Sequence, residues 1–218
     1  MAYHINAEKV SLDDLRKRLE ATDLVPSRAS LLEGLDAKMK ALEKQGIVTL
    51  ADLRNELKTS KRLETLAKST GIGTDYLTLL RREIEGWFPK PPLLKDFNWL
   101  PKSEIAKLER NGIRDAATLY EATDSKSKRT ALAKSTGVDI VTLETLAQLV
   151  DLTRVQWTSP TAARMLLEAG CTSSAKLAQA DADELCEELA RVNAGDKYFK
   201  GKIGLRDVKR LIQAARYV

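Results

Sequence analysis

The chain is poor in the residues that most enzyme chemistry draws on. One histidine, His4, and two cysteines, Cys171 and Cys186, stand among 218 positions, and aromatic residues make up 5%. General acid–base catalysis near neutral pH recruits histidine most often, and His4 lies close to a chain end expected to be loose. No Gly-x-Ser-x-Gly, no strand running into a Gly-rich phosphate loop and no His/Asp/Glu cluster at ligand spacing occurs. The two cysteines have no zinc-like spacing and are too few for a disulfide scaffold. No apolar run reaches the roughly 18 residues of a membrane span. The first fifteen residues lack the basic-then-apolar order of a secretory signal. Together these absences point to a cytoplasmic protein that is not an enzyme and carries no metal and no cofactor.

What is present is charge and aliphatic carbon. Charged residues account for 31% and hydrophobic ones for 43%, enough to build cores rather than a disordered chain. The net charge of +5 is unevenly spread. Residues 191–218 hold eight basic side chains (Arg191, Lys197, Lys200, Lys202, Arg206, Lys209, Arg210, Arg216) against Asp196 and Asp207, so this tail carries +6 and the remainder about −1. A basic end suits a phosphate backbone, and equally a solvated helix face.

The dominant pattern is an internal repeat. Residues 42–72 align with 108–138 at a constant offset of 66, without gaps, and twelve of the 31 positions are identical. The identities include the whole block Leu66–Gly71 against Leu132–Gly137. The first half recurs a third time. Gly46-Ile47 and Gly112-Ile113 correspond to Gly170-Cys171, each pair followed six residues on by Leu53, Leu119 or Leu177. Cys171 stands where the earlier copies have Ile, which marks it as a small buried apolar residue, and Cys186 reads the same way.

Each copy reads as helices. Met39, Leu42 and Gly46 suit a helix ending in a left-handed Gly cap. Thr49 caps the next, with Asp52 completing a capping box. Leu63, Leu66 and Ala67 mark a third, ending at Ser69-Thr70-Gly71. After Gly73, Thr74 is positioned to cap a fourth carrying Leu77, Leu80 and Ile84. The period stays near 3.6 and no alternating run suggests a strand, so the expected class is all-α. Ser11 and Ser27 are expected to cap earlier helices.

The organisation expected is an N-terminal helical extension (1–30), repeat 1 (31–88), a Pro-rich connector (89–95), repeat 2 (96–153) and repeat 3 with a basic C-terminal helix (154–218). Repeats 2 and 3 join through residues 152–155 without a proline break, so they should pack as one unit. Trp87, Phe88, Phe97 and Trp99 lie in or beside the connector. They either clamp it to neighbouring repeats or form a patch for a protein partner.

A helix, a Gly-hydrophobic-Gly turn and a second helix resemble the helix-hairpin-helix superfamily, and three tandem paired modules are implied. The C-terminal third, from Val155 through Gly170, Leu177 and Leu189 to Asn193 and the later Val208 and Leu211–Ala215, is similar to a bacterial domain-of-unknown-function family within that superfamily. The resemblance implies sequence-independent binding of double-stranded DNA. Glycines let the backbone turn so that amides at the following helix N-terminus meet a phosphate, and nearby Lys or Arg adds salt-dependent attraction. Carried onto this chain, the candidate contacts are Lys68, Ser69, Thr70, Gly71, Ile72 and Gly73. Lys134 and Gly137 belong to the second copy, and Lys200, Lys202, Lys209 and Arg210 to the basic tail. Lys58, Lys61, Arg62, Lys126, Lys128 and Arg129 lie on the approaches. Opposing this, Asp139 stands at the third turn position of the second copy and Asp36 in the first half-repeat. Trp157 and Ser159 stand in the third copy where the superfamily often has glycine. Purely structural turns in a protein-interaction module are the alternative reading.

Overall fold

The computed structural model describes residues 2–218, and its described residues fall into two compact units, one built from 6–87 and the other from residues up to Ile5 together with 88–218. Helices supply all regular structure among the described residues apart from two isolated antiparallel bridges, Ser11 with Thr49 and Leu93 with Asp115. Among the described residues no helix is long and apolar enough to cross a membrane.

The 6–87 unit contains α1 (Leu12–Ala21), α2 (Leu35–Glu43), α3 (Leu50–Leu57), α4 (Ser60–Thr70) and α5 (Thr74–Glu85). Its start signals act as the residue types require. Ser11 and Thr49 each accept the third helical amide while Asp14 and Asp52 return a carboxylate to the cap amide, a reciprocal box at both helices. Those bonds hold the Asp14 and Asp52 carboxyls below the usual carboxylate range. Two expected caps are not made. Ser27 lies inside a 3₁₀ turn, Pro26–Leu32, and α2 begins instead after Gly34 with φ 58°. Thr74 is already helical, so Gly73 is the cap and offers no side chain to α5. Leu12, Leu53, Leu57, Leu77, Leu80 and Ile84 form the core. Trp87 is 3% exposed there, its ring 3.8 Å beneath the Arg18 guanidinium and its indole N–H donating to Glu83.

The larger unit runs α6 (Lys102–Arg110), α7 (Ala116–Thr123), α8 (Lys126–Thr136), α9 (Ile140–Leu152), α10 (Pro160–Glu168), α11 (Ser174–Ala178), α12 (Ala182–Val192) and α13 (Leu205–Ala215). One continuous core joins Leu94, Phe97 and Leu108 through Leu143–Val155 to Leu166, Leu189 and Ile212. Phe97 is fully buried, so neither it nor Trp87 presents a face to a partner. The N-terminal end is not loose. Tyr3 is 2% exposed, donates its hydroxyl to Thr153 at 3.0 Å and meets the Tyr120 ring edge-on. His4 bonds the Pro89 carbonyl at 2.8 Å. Burial of an aromatic ring of this size outweighs the entropy of ordering a few terminal residues.

The copies superimpose in their hydrogen bonds. Gly46, Gly112 and Gly170 all take positive φ, and the amides of Ile47, Ile113 and Cys171 return to Leu42, Leu108 and Leu166, the closing bond of a Schellman turn. Leu50 N–H donates to Val10 and Ala116 N–H to Pro92, each at 2.8 Å, across the two bridges. In the third copy the equivalent Ser174 amide finds a side chain instead, Asp151, at 2.6 Å.

Candidate nucleic-acid interface

Three helix–turn–helix junctions share one design and differ in what covers the second helix. In the first, α4 ends at Gly71 with φ 74°, whose amide donates to Ala67 at 2.9 Å. Ser69 and Thr70 donate their hydroxyls to Leu66 O at 3.1 and 2.7 Å, and Thr70 Oγ1 accepts the Ile72 amide at 3.2 Å. These two side chains therefore finish their own helix rather than reach outward. Ile72 is buried and pins the turn to the core. Gly73 has φ −59° and ψ 143° and leads into α5, whose first amides have no side-chain cap. Lys68 is exposed on the last turn of α4. Lys38 Nζ lies 4.1 Å over the ring of Tyr76, the third residue of α5. Asp75, exposed in the same first turn, is the one carboxylate that α5 itself places there.

The second junction repeats the first bond for bond: Gly137 has φ 69°, and Ser135 and Thr136 donate to Leu132 O. Its helix end is closed. Asp139 accepts the Thr142 amide at 2.8 Å, Glu104 accepts the Asp139 amide at 2.8 Å, and Lys107 bridges Glu104 to Gly137 O, both at 2.7 Å. The bonds from Thr142 hold the Asp139 carboxyl below its ordinary range, and the Lys107 ammonium does the same for Glu104. At the offset of 66, Glu104 corresponds to Lys38. Thus equivalent positions carry opposite charges, Glu104 bonded to the amide before α9 and Lys38 lying over Tyr76 of α5 while donating to Glu33 O. Lys126 and Lys134 are exposed on α8, while Lys128 pairs with Asp124 and Arg129 donates to Thr123 O.

The third junction escaped the ungapped alignment because α12 carries one extra residue before its glycine. Leu189-Ala190-Arg191 leads to Gly195 in six steps from Leu189, where Leu132-Ala133-Lys134 leads to Gly137 in five. Gly195 keeps the left-handed φ, 69°, and Gly204, like Gly73, starts its helix without a side-chain cap. Between them the turn is expanded into a loop that displays Lys200 and Lys202, both exposed. Lys209 is exposed on α13, whereas Arg210 has its side chain 12% accessible and 3.8 Å from Asp207. The acidic run preceding the loop serves its own helix, with Asp181 capping α12 and Glu188 pairing with Arg191.

A further turn, between α9 and α10, substitutes a large residue for glycine. Trp157 has φ 68° and is 56% exposed, with Ser159 capping α10. A left-handed backbone costs a non-Gly residue about 1–2 kcal/mol. Trp157→Gly is therefore expected to be more stable than Trp157→Ala by about 1 kcal/mol, since both remove the ring and only one relieves the backbone. Chemical denaturation of the two variants measures the difference, and equal midpoints would contradict it.

Of the candidates read from sequence, Lys68 and Gly71–Gly73 stand together at the first junction, Lys134 and Gly137 at the closed second one, and Lys200 and Lys202 at the third. No group of three or more His, Cys, Asp or Glu side chains capable of holding a metal occurs among the described residues. Cys171 is buried, which pushes its thiol pKa up, and Cys186 Sγ lies 3.7 Å from Ile203 O. Among known proteins, neither a curated protein nor a solved structure matches the chain. A family model does match, over residues 100–218, more than half the chain and nearly all of the larger unit, though Tyr3, Leu94 and Phe97 of that unit's core lie outside it. The chain belongs to the family described as Domain of unknown function (DUF4332).

Proposed function

We propose that the repeats are helix-hairpin-helix modules and that the protein binds DNA without sequence preference, through backbone amides at its hairpin turns and the lysines beside them. The observation that carries this reading is the α5 end. It begins at a glycine with no capping side chain, Lys68 is exposed on the last turn of the preceding helix, and Lys38 Nζ, which donates to Glu33 O, lies over the ring of Tyr76 in the first turn. The positive end of a helix dipole with free amides attracts a phosphate, and ammonium groups add to the field. Such contacts read backbone rather than bases.

The reading is tested by fluorescence anisotropy with a blunt duplex at low salt. Affinity should fall steeply as salt rises, with a log–log slope of about −3 if three or four phosphates are neutralised. Lys38→Glu and Lys68→Glu should each weaken binding, and Asp75→Asn should tighten it by removing a like charge from the phosphate position. No binding at tens of micromolar protein overturns the reading.

The second junction favours a different role for its own turn. With Asp139 and Glu104 occupying the amides that a phosphate needs, that hairpin serves to join helices, as expected of a protein-interaction module. Duplex binding that is insensitive to Lys38 and Lys68 would shift the whole protein to that alternative.

A further inference from the structure

The expanded third turn is built more firmly than its composition suggests. Asn193, nearly fully buried at the end of α12, accepts the amides of Tyr198 and Phe199, both at 2.9 Å, and donates to Phe199 O at 2.8 Å. The backbone of Phe199 is thus gripped at both its amide and its carbonyl. Glu168 on α10 holds the start of the loop by accepting from the Tyr198 hydroxyl and from Lys197 Nζ. The Tyr198 ring also lies beneath Lys197, at 4.7 Å, and 5.3 Å from Arg164. Gly201 has φ 118°, a conformation closed to other residues, and the place of its missing Cβ lies 3.4 Å from the Phe199 ring edge.

All of this anchoring leaves Phe199 53% exposed. Tyr198 beside it is pinned and half-buried, so a single aromatic face is offered. Lys200 and Lys202 follow it, both exposed, and neither holds an ion pair among the described residues. What sets Phe199 apart from an ordinary exposed apolar side chain is that its backbone is tied down, so the ring is presented in one orientation with two cationic side chains beside it. Because the loop is already ordered, a ligand need not supply the ordering entropy.

The geometry points to a stacking site for an unpaired nucleobase, with Phe199 as the platform and Lys200 and Lys202 taking the flanking phosphates, so that the partner of this loop is single-stranded nucleic acid. A flat aromatic face beside cationic side chains matches a base and its backbone, since every base has a face to stack. In a duplex that face is already stacked on its neighbours. One exposed ring is also too little apolar area to hold a bilayer surface, which needs a whole helix face or two anchoring signals. This inference rests on the nucleic-acid reading for the class of ligand but not for the site. The loop lies in the larger unit, whereas the α5 end lies in the other.

The test compares a fluorescent single strand of about 20 nucleotides with the blunt duplex of the same sequence, each against the full chain. Phe199→Ala should weaken single-strand binding about tenfold and leave duplex binding unchanged. Phe199→Trp should restore or strengthen it. Because the ring is exposed, both variants should keep the thermal midpoint of the parent, which circular dichroism checks. Single-strand binding that depends on Phe199 without any duplex binding would sustain the inference while ending the hairpin proposal. Equal losses on both probes, no loss on either, or no single-strand binding at all would overturn it. So would Phe199-dependent binding to phosphatidylserine-containing vesicles with none to the oligonucleotide.

Discussion

Replacing Tyr3 by alanine is expected to destabilise the larger unit by about 4 kcal/mol, the cost of emptying a buried aromatic position. The residue is far from the rest of its unit in sequence, yet its ring packs edge-on against Tyr120 and its hydroxyl donates to Thr153. Its carbonyl accepts from Arg154 Nε at 2.8 Å, and that guanidinium stacks 4.3 Å over Tyr120. Tyr3→Phe should cost only about 1 kcal/mol, because Thr153 Oγ1 still donates to Val150 O and the ring still fills its place. Hydrogen exchange resolves the effect by region. Peptides from residues 100–218 should lose protection in Tyr3→Ala while those from 12–85 keep it. Undiminished protection across 100–218 would refute the prediction.

The same phenol gives an alkaline signature. Burial pushes the Tyr3 pKa up to about 12, from an ordinary value of 10.0. The folded state therefore holds the proton more tightly than the unfolded one. The stability linked to this group is complete below pH 10 and is lost as pH rises from 10 towards 12, by about 2–3 kcal/mol for a shift of this size. Tyr3→Phe should lack that part of the alkaline decline, so the parent, about 1 kcal/mol the more stable at neutral pH, should become the less stable of the two before pH 12.

Removing the Asp151 carboxylate should cost about 3 kcal/mol or more. It accepts the Ser174 amide and hydroxyl on one oxygen and Arg154 Nη1, at 2.7 Å, on the other. The side chains of Arg154 and Asp151 are both mostly covered. Asp151→Ala therefore leaves a covered guanidinium without its charge partner and a helix-start amide without an acceptor. Asp151→Asn should lose less, since its carbonyl oxygen still serves Ser174. Urea denaturation of the three proteins should rank parent, Asn, Ala. An alanine variant within 1 kcal/mol of the parent would contradict the argument.

How much of this was legible in the sequence differs from element to element. The Schellman turns at Gly46, Gly112 and Gly170 could be read directly, because only a residue without Cβ ends a helix in that conformation cheaply and an apolar residue follows each time. The boxes at Ser11 and Thr49 were legible for the same local reason. Thr74 misled, since Gly73 took the cap position and a threonine one step inside a helix has no amide to accept from. The third junction was hidden by one added residue before its glycine and by a longer loop from Gly195 to Gly204, although Leu189-Ala190-Arg191 and Gly195 were there to be aligned. Nothing local announced Tyr3, whose partners Tyr120, Thr153 and Arg154 are all more than a hundred residues away.

The candidate site divides in the same way. Its residue types were visible as glycine pairs followed by helices, with lysines nearby. Whether each helix end is open was not visible. That depends on Glu104 meeting the Asp139 amide across 35 residues and on Lys38 lying over Tyr76.

The sequence by itself therefore determined the helical class, the repeated turns and the caps at Ser11 and Thr49, because these rest on bonds between residues a few positions apart. Only the tertiary structure decided which turns are closed by carboxylates, which rings are buried, and that residues 2–5 complete the larger unit. Those outcomes depend on which distant side chains share a core, and burial there outweighs any local preference.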